Sequence, residues 1–368
     1  MGAPALSRPD SRDFNRLFLA DTPLIDTRSP GEFAEGAFPH AVNLPLMDDD
    51  QRAQVGRCYK QQGQQAAIAL GHHLVQGALK ESRIAAWLAF AKTHPEGYVY
   101  CFRGGLRSRI SQQWMQEAGI AYPRIIGGYK AMRRFLLNQL ELSAKHSYVI
   151  LSGQTGCAKT RLLHGLDNAI DLEGLANHRG SAFGKRLGGQ PSQIGFENAL
   201  SIALLKLRHA RPEATVVLED ESRLIGRIAV PDVLRETTLR APLAVVEMPL
   251  AERVEHTFHN YILRNLADWQ AHAGDIAGFA AFAEELRQNL ATLQRRLGGH
   301  RHSQLLTEMN TALAAHARGN PEAHRSWIEL LLRDYYDPMY AYQLGLKAER
   351  VVFRGSYAEV AAYLGSAR

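Results

Sequence analysis

The chain has 368 residues, 46% of them hydrophobic and 22% charged, as expected for a soluble globular protein of about two domains. Its three cysteines, an odd and low number, exclude a disulfide framework or a zinc cluster and predict a reducing cytoplasm. The first 13 residues have no apolar core of a signal peptide, no run reaches the roughly 18 to 20 apolar residues that cross a bilayer, and the net charge of +6 permits a nucleic-acid partner.

The first half alternates short apolar strands with helical patterns. A buried strand ends at Asp26 and Arg28. A helix follows, with Ser29 as its N-cap and Pro30 at its first position. The pattern continues with a strand at 41–45, helices at 48–79 and 84–92, a strand at 98–100, a helix at 107–118, a strand at 122–126 and a helix at 130–142. This order predicts an α/β fold with a parallel sheet, helices on both faces and active residues at the carboxyl ends of strands.

Cys101 stands at such a strand end, on a turn that contains Gly104 and Gly105 and leads into a helix. Backbone N–H groups of a turn of this kind attract an anion and lower the pKa of a thiol. Arg103 and Arg107 add positive charge. We therefore predict a reactive thiolate, and the flanking arginines disfavour the alternative of a buried structural cysteine.

Four segments of this half, Asp26-Thr27-Arg28, Glu32-Phe33, Asn43-Leu44-Pro45 and the Cys101 loop, together resemble a rhodanese domain. The resemblance implies such a domain over residues 12–143, with a loop cysteine that carries sulfur or selenium as a persulfide or selenosulfide. Asp26, Arg28 and the loop glycines would support the loop. Five residues separate Cys101 from Arg107, a wider spacing that also occurs in cysteine phosphatases and seats a tetrahedral phosphate-like group. Cys101 is thus expected either to attack phosphorus or to accept a chalcogen from a phosphate-bearing donor.

The second half begins with a strand at 147–152 that runs into the segment Gly153-Gln154-Thr155-Gly156-Cys157-Ala158-Lys159-Thr160 and a helix. This order is typical of a P-loop, in which backbone amides cradle phosphate, Lys159 neutralises it and Thr160 can bind Mg²⁺. Ala158 replaces the usual glycine, and its Cβ disfavours positive φ, so we expect phosphate binding more than NTP hydrolysis. Cys157 is expected to be a small filler, and an ordinary strand–helix turn is the alternative for the whole segment.

Further along, a strand near Ile170 leads to a polar loop with His178 and Arg179, and a helix follows at 195–209. The strand at 215–218 ends in the acidic run Glu219-Asp220-Glu221. Carboxylates at this position suit Mg²⁺, and we predict a site for the ion between Thr160 and Asp220. The alternative is that the acidic run is an ordinary solvated strand end. Strands at 243–248 and 351–353 flank a helical region, 251–342. Its basic and tyrosine side chains suit RNA contact, or an ordinary solvated face.

The whole of residues 12–365 resembles the bacterial tRNA 2-selenouridine synthase family. The likeness rests on the two halves in this order and on five segments: Tyr59–Gly63, Ala66–Gly71, Cys101–Ser108, His178–Ser181 and Glu219–Ser222. It implies a P-loop NTPase-like α/β domain over 144–368. It also implies a reaction in which the wobble 2-thiouridine of the tRNAs for Lys, Glu and Gln is geranylated from geranyl diphosphate. The S-geranyl group is then replaced with selenium from selenophosphate.

On this resemblance each predicted site has a substrate. Cys101 with Arg103 and Arg107 would handle selenophosphate, and residues 153–160 would bind the diphosphate. His178, Arg179, Asp220 and Glu221 would support them, with Mg²⁺ as a companion ion and no tightly bound cofactor. We expect a cytoplasmic monomer that binds the tRNA anticodon loop without membrane contact. The alternatives are a rhodanese-fold phosphatase or sulfurtransferase coupled to a nucleotide-binding domain, and a non-catalytic RNA-binding protein.

Overall fold

The structure is a computed structural model that describes residues 8–366. Residues 1–7, which belong to the stretch predicted to lack a signal peptide, and 367–368, the end of the predicted second domain, lie outside the described residues. The described residues form two compact units, the first from 8–142 with 192–209 and the second from 143–191 with 210–366. The sequence predicted a continuous second domain over 144–368, whereas residues 192–209 belong to the first unit.

The first unit is an α/β layer structure. Its elements up to the division are α1 (Phe14–Leu19), β1 (Leu24–Asp26), α2 (Pro30–Glu35), β2 (Ala41–Asn43), α3 (Asp49–Leu74), α4 (Gly77–Thr93), β3 (Tyr98–Tyr100), α5 (Leu106–Glu117) and α6 (Gly128–Ser143). The strands pair in parallel in the order β2–β1–β3, with Leu24 opposite both Ala41 and Tyr98.

Both faces of this sheet are covered, as the alternation of strands and helices predicted. Leu24 and Tyr100 face a cluster with side chains of α1 and α6. Ile25 and Val99 face the opposite way, into a cluster with Trp87 of α4 and side chains of α5. Successive strand residues point to opposite faces, so these three-residue strands serve two cores at once.

Two details of the first half differ from the prediction. Residues 122–126 form isolated bridges, Ser11 with Ile125 and Val99 with Arg124, instead of a regular strand. Pro123 explains this, because it has no N–H to donate, although its carbonyl accepts from Val99 N at 2.9 Å. The long helical pattern at 48–79 ends at Leu74 and contains a break at Gly63, where φ is 85° and ψ is −176°.

The second unit contains the longer sheet and most of the helices. From residue 148 to residue 246 the chain runs through β4 (Tyr148–Gly153), α7 (Lys159–Leu163), β5 (Ala169–Ile170), α8 (Leu172–Leu175), α9 (Gln193–Ala210), β6 (Val216–Glu219), β7 (Leu224–Ile225), β8 (Ile228–Ala229), α10 (Asp232–Thr238) and β9 (Leu243–Val246). Of these elements, α9 belongs to the first unit. All neighbouring pairs in the order β10–β9–β4–β6–β5 are parallel, and β10 spans Val351–Gly355. The sequence did not predict the antiparallel hairpin of β7 and β8.

The predicted helical region between β9 and β10 is present. It comprises α11 (Leu250–Thr257), a π-helical segment (Phe258–Leu263), α12 (Arg264–Ala273), α13 (Asp275–Thr292), α14 (Gln294–Leu297), α15 (Gly299–His316), a 3₁₀ turn (Pro321–Ala323), α16 (His324–Leu331), a π-helical segment (Leu332–Tyr336), α17 (Asp337–Gly345) and a 3₁₀ turn (Ala348–Arg350). Helix α18 (Tyr357–Ser366) closes the described chain. Phe258, Phe282 and Trp327 lie in the core of this region. Within residues 8–366, the helices all fall short of the length and apolarity needed to cross a membrane.

Helix α9 lies between two strands of the second unit in the chain but belongs to the first unit. Ile202 and Leu205 are buried in the same cluster as residues of α1 and α6. Asn198 Nδ2 donates to the Ala37 carbonyl at 2.9 Å, and Arg133 Nη1 donates to Asn198 Oδ1 at 3.0 Å. The apolar face of α9 and these hydrogen bonds join it to the first unit.

Candidate functional site

In the first unit, the Cys101 loop (residues 101–108) connects β3 to α5. Its carbonyls accept from groups outside it: Tyr129 N bonds Cys101 O and Lys130 N bonds Phe102 O, both at 2.9 Å. Arg124 Nη1 donates to Gly104 O at 2.8 Å. The start of α6 and Arg124 therefore hold the carbonyl side of the loop, an arrangement that suits an anion on the amide side.

The two predicted loop glycines have different roles. Gly104 has φ of +62°, and a Cβ there would lie 2.6 Å from Gly127 N, so both conformation and space require glycine. Gly105 has φ of −95°, and a Cβ at that position meets no atom within 4 Å. Of the two loop glycines, only Gly104 is needed for the close approach to Gly127 and Gly128, and Gly128 is needed on the other side, where a Cβ would lie 2.2 Å from Cys101 O.

The thiol of Cys101 is buried but lies on the wall of a cavity of about 890 Å³. Cys101 Sγ donates to Ser108 Oγ at 3.3 Å, and Ser108 Oγ donates to Gly105 O at 3.2 Å. Ser108 was part of the predicted loop, but nothing in the sequence marked it as the partner of the thiol. It fixes the direction of the Cys101 side chain.

Arginines near the thiol divide into a paired one and an exposed one. Arg107 is ion-paired with Glu32 of α2, through Nη2 to Oε1 at 3.2 Å and through Nη1 to Oε2. Burial opposes ionisation of Glu32, but the hydrogen bond and charge of Arg107 outweigh it and hold the pKa of this carboxyl below its usual value. Arg103 is exposed and lines the cavity. Sequence reasoning missed the role of Glu32, which lies 75 residues from Arg107.

Asp26 and Arg28, predicted to support the loop, form a fully buried ion pair. Arg28 Nη2 donates to Asp26 Oδ2 at 2.7 Å and to the Gly36 carbonyl at 2.8 Å, and its Nη1 donates to the Glu32 carbonyl at 2.9 Å. The guanidinium also lies 3.8 Å from the centre of the Tyr129 ring. These contacts join the end of β1 to α2 and to the start of α6, so the pair positions the elements that carry the loop.

In the second unit, residues 153–160 form a loop after the central strand β4 and before α7. Gly156 has φ of +87°, and a Cβ there would lie 2.7 Å from Thr257 Oγ1. Ala158 adopts φ of 61° and ψ of 28°, so the left-handed conformation that its Cβ was expected to disfavour is formed nevertheless. Cys157 is buried.

Lys159 lies over this loop. Its Nζ donates to the Gly153 carbonyl at 2.7 Å and contacts the Gln154 carbonyl at 3.5 Å. Burial favours the neutral amine, but the charges of Cys157, Glu173 and Glu221 outweigh it and raise the pKa of Lys159 above its usual value. The loop therefore carries a cation at the position where a phosphate would need one.

Three glutamates, Glu173, Glu219 and Glu221, lie together near Lys159. Thr160 Oγ1 donates to Glu173 Oε2 at 3.4 Å, and Glu173 N donates to Glu219 Oε2 at 3.2 Å. Burial and the mutual repulsion of the carboxylates raise all three pKa values, that of Glu221 to about 8. Glu219 Oε1 is buried and has no hydrogen-bond partner among the described residues. Across residues 8–366, no three His, Cys, Asp or Glu side chains converge as a metal site.

Asp220, predicted to share Mg²⁺ with Thr160, has other partners. Its carboxylate accepts from Ser152 Oγ at 2.7 Å and from Lys347 Nζ at 2.6 Å. It thus connects the end of β4 to the segment before β10, while Thr160 faces Glu173. The sequence did not indicate Lys347, because 127 residues separate it from Asp220.

The other residues predicted to support the site, His178 and Arg179, are both shifted in pKa by their surroundings. His178 is buried, and burial together with Arg186 and Lys185 lowers its pKa, which favours the neutral ring. Arg179 lies 4.9 Å from the centre of the Tyr261 ring, and burial lowers its pKa. Arg253, one of the basic residues considered for RNA contact, is instead buried. Its Nη1 donates to Asp337 at 2.7 Å and to the Thr155 carbonyl at 3.3 Å, so it braces the 153–160 loop.

The two loops place this chain in a class of α/β proteins. In that class one parallel strand is followed by a glycine-rich loop with a lysine, and another parallel strand is followed by a loop with a cysteine. The family described as the tRNA 2-selenouridine synthase AAA domain matches residues 146–368. A protein of Hahella chejuensis named tRNA 2-selenouridine synthase is 58% identical over 355 residues, 96% of this chain and 94% of its own. Proteins of the same name from Bordetella bronchiseptica and Pseudomonas putida are 55% and 53% identical, each over 97% of this chain and over 98% and 97% of their own. The chain therefore belongs to the tRNA 2-selenouridine synthase family.

Proposed function

We propose that this protein converts 2-thiouridine to 2-selenouridine in tRNA, the product in the name of its relatives, in two steps that use different loops. The observation that carries the proposal is the presence of both a lysine-bearing 153–160 loop and a thiol on a cavity wall. The first unit serves as a rhodanese-like domain and the second as a P-loop domain. The substrate is the wobble uridine in the anticodon loop of the tRNAs for Lys, Glu and Gln.

In the first step, the sulfur of 2-thiouridine attacks C1 of geranyl diphosphate. The S–C1 bond forms, the C1–O bond breaks, and N3 loses its proton as diphosphate leaves. Lys159 and the amides of the 153–160 loop hold the departing diphosphate, because a fixed cation and N–H groups stabilise developing negative charge. This reaction needs no hydrolysis of a nucleotide, so Ala158 is compatible with it.

Mg²⁺ suits the same place. Thr160 Oγ1 and the carboxylate of Glu173 are hard oxygen ligands, and the buried Glu219 Oε1 has no partner among residues 8–366. These residues would hold the ion, which would supply further neutralisation of the charge on the leaving diphosphate. Asp220, with Lys347 and Ser152 as partners, positions β4 instead.

In the second step, selenium from selenophosphate replaces the S-geranyl group. Forming a selenosulfide on Cys101 with phosphate as product would require a two-electron oxidant. We therefore propose that the Cys101 thiolate attacks phosphorus, which breaks the P–Se bond and releases selenide. Selenide attacks C2 of the uridine, the C2–S bond breaks, geranylthiol leaves with a proton, and water hydrolyses the phosphocysteine to phosphate. Arg103, Arg107 and the loop amides hold the phosphate group.

The proposal also covers tRNA binding, the cellular location and the oligomeric state. Exposed basic residues of the helical region, Arg295, Arg296 and Arg301, are proposed to contact the tRNA backbone. The target base leaves the stacked loop to reach each reactive group. The three cysteines are unpaired thiols, which supports a cytoplasmic location, and we propose a monomer with no resident cofactor.

The assignment of Cys101 is tested with Cys101→Ser. Because a serine hydroxyl is not ionised near neutral pH, selenation should be lost while geranylation continues, so that S-geranyl-2-thiouridine accumulates. Mass spectrometry of nucleosides from digested tRNA measures both products, and Cys58→Ser, which changes another buried cysteine, is the control. Normal selenouridine formation by Cys101→Ser would contradict the proposal. Loss of phosphoester hydrolysis without any change in tRNA would favour the phosphatase alternative.

The role of the 153–160 loop is tested with Lys159→Ala. Removing the cation should lower geranyl transfer by about 10²-fold or more, because the leaving diphosphate loses its fixed counter-charge. Transfer from labelled geranyl diphosphate to 2-thiouridine tRNA measures this, with the exposed Lys145→Ala as control. The variant should still convert tRNA that is already geranylated. Geranyl transfer at the normal rate would place the diphosphate elsewhere.

A further inference from the structure

The cavity beside Cys101 has a chemical character that a phosphate site does not require. Its volume is about 890 Å³, whereas a cavity of about 150 Å³ already holds a benzene molecule. Apolar side chains from the segment before α3, from α3 and from α5 line it: Leu46, Met47, Val55, Ile68, Ile110 and Trp114. The space beside the thiol is therefore large enough for a pyrimidine ring together with a chain of ten carbons.

Cations line the same cavity. Arg52, Arg57, Lys60, Arg103 and Arg107 all contribute to its lining, and Glu32 pairs with Arg107 and lies 3.4 Å from Arg52. Apolar side chains and cations around one thiol match a ligand that combines an apolar chain with anionic groups. Selenophosphate alone is small and anionic, and it would leave the apolar part of the lining without a function.

We propose that this cavity binds the geranyl chain of S-geranyl-2-thiouridine and so presents C2 of the uridine to the selenium released at Cys101. The inference rests on the proposed function and extends it, because it assigns the prenyl-binding site to the first unit. Burial of the chain against α3 and α5 gives the geranylated base an affinity for this site that the unmodified base lacks. The second step thereby selects the product of the first.

Substitutions on α3 test the site. Gly56 lines the cavity, and a Cβ there would meet no atom within 4 Å, so Gly56→Phe adds bulk at the cavity wall from an unobstructed Cβ. Ile68→Gln keeps a similar size and makes the lining polar. The exposed Ala69→Phe, on the same helix and outside the cavity lining, is the matched control.

The experiment measures selenation of tRNA that carries S-geranyl, S-dimethylallyl or S-methyl 2-thiouridine. In the wild type we expect KM to fall as the chain lengthens. Gly56→Phe and Ile68→Gln should raise KM for the S-geranyl tRNA by about tenfold. KM for the S-methyl tRNA should stay within about twofold in all variants. An unchanged KM for S-geranyl tRNA in both variants, or an equal rise for S-methyl tRNA, would overturn the inference.

A binding measurement separates this inference from the proposed function. Trp114 lines the cavity, so binding of the nucleoside S-geranyl-2-thiouridine should change tryptophan fluorescence in the wild type and in Ala69→Phe. Gly56→Phe should lose this response. If the wild type binds the nucleoside in this way but converts no geranylated tRNA, the prenyl site stands and the proposed reaction fails. If it converts geranylated tRNA while the nucleoside binds equally in every variant, the reaction stands and the prenyl site is refuted.

Discussion

Ionisable groups around Lys159 illustrate how single residues obtain their properties from neighbours distant in the chain. Glu173 comes from one segment and Glu219 and Glu221 from another, and the fold places their carboxyls close to one another and to the lysine. The lysine stays charged because anionic neighbours outweigh the cost of its burial. The same burial, together with the repulsion between neighbouring carboxylates, also raises the pKa values of the three carboxyls, that of Glu221 to about 8.

Glu221 makes stability depend on pH in a predictable direction. Its pKa is about 8 in the fold against 4.5 as the ordinary value, because burial and the charge of Glu173 disfavour its ionised form. Between these values the folded state binds a proton that the unfolded state has lost, so stability falls as pH rises through this window. The free energy of unfolding, measured with urea between about pH 5 and 8, should fall less steeply in Glu221→Gln than in the wild type.

The upper limit of that difference is about 1.4 kcal/mol per pH unit for one group. The exposed Glu252→Gln serves as the control and should follow the wild-type slope. Equal slopes for the wild type and Glu221→Gln would refute the assignment of the retained proton to Glu221. A steeper slope in the variant would reverse the sign of the argument.

At the scale of elements, α3 forms a wall of the Cys101 cavity and contains its own interruption. Arg52, Gly56, Ile68 and other residues on both sides of Gly63 line the cavity. Gly63 has φ of 85° and ψ of −176°, a conformation almost restricted to glycine. The break redirects the helix, so that residues before and after it face the same cavity.

Two glycine substitutions on α3 should act in opposite directions. Gly63→Ala should lower the free energy of unfolding by about 1–3 kcal/mol, because alanine is strained at this φ and ψ. Gly56→Ala should raise it by about 0.5–1 kcal/mol, since the position is helical and a Cβ there meets no atom within 4 Å. Urea unfolding measures both values. A stabilising effect of Gly63→Ala would mean that the break at Gly63 is absent from the folded helix.

At the scale of the whole molecule, the chain returns to its first unit after it has started the second. Residues 192–209 contribute to the first unit although β4, β5 and the 153–160 loop precede them. Ile202 and Leu205 of α9 complete the apolar cluster between the sheet, α1 and α6. The first unit is therefore incomplete until more than half of the chain has been synthesised.

A fragment that ends at residue 143 should consequently be unstable. It lacks the burial of Ile202 and Leu205, each worth roughly 1.5–3 kcal/mol. The same fragment with residues 192–210 attached through a flexible linker should melt at a higher temperature in circular dichroism. A linked segment with Ile202→Asp and Leu205→Asp is the control and should give no such gain. Equal melting temperatures for all three proteins would show that α9 does not stabilise the first unit.

Local patterns in the chain were sufficient to predict a substantial part of the fold and of the candidate site. Alternating apolar strands and helices predicted the parallel sheet of the first half, and glycine-rich turns at strand ends marked the Cys101 loop and the 153–160 loop. These features depend on backbone conformation and on residues within a few positions of one another, which is why they are visible in the sequence. Resemblance at the level of motifs led to the family to which the chain belongs.

Tertiary packing decided the remaining features of the fold and the site, because it brings together residues that no local sequence pattern connects. The partners of Arg107 and Asp220 lie 75 and 127 residues away, and they became evident only from side-chain contacts in the fold. The same holds for the hydrogen bond from Cys101 to Ser108, for the left-handed Ala158 and for the apolar cavity. Helix α9 has an apolar face, but the sequence did not indicate which unit buries it, and only the folded chain assigns it to the first.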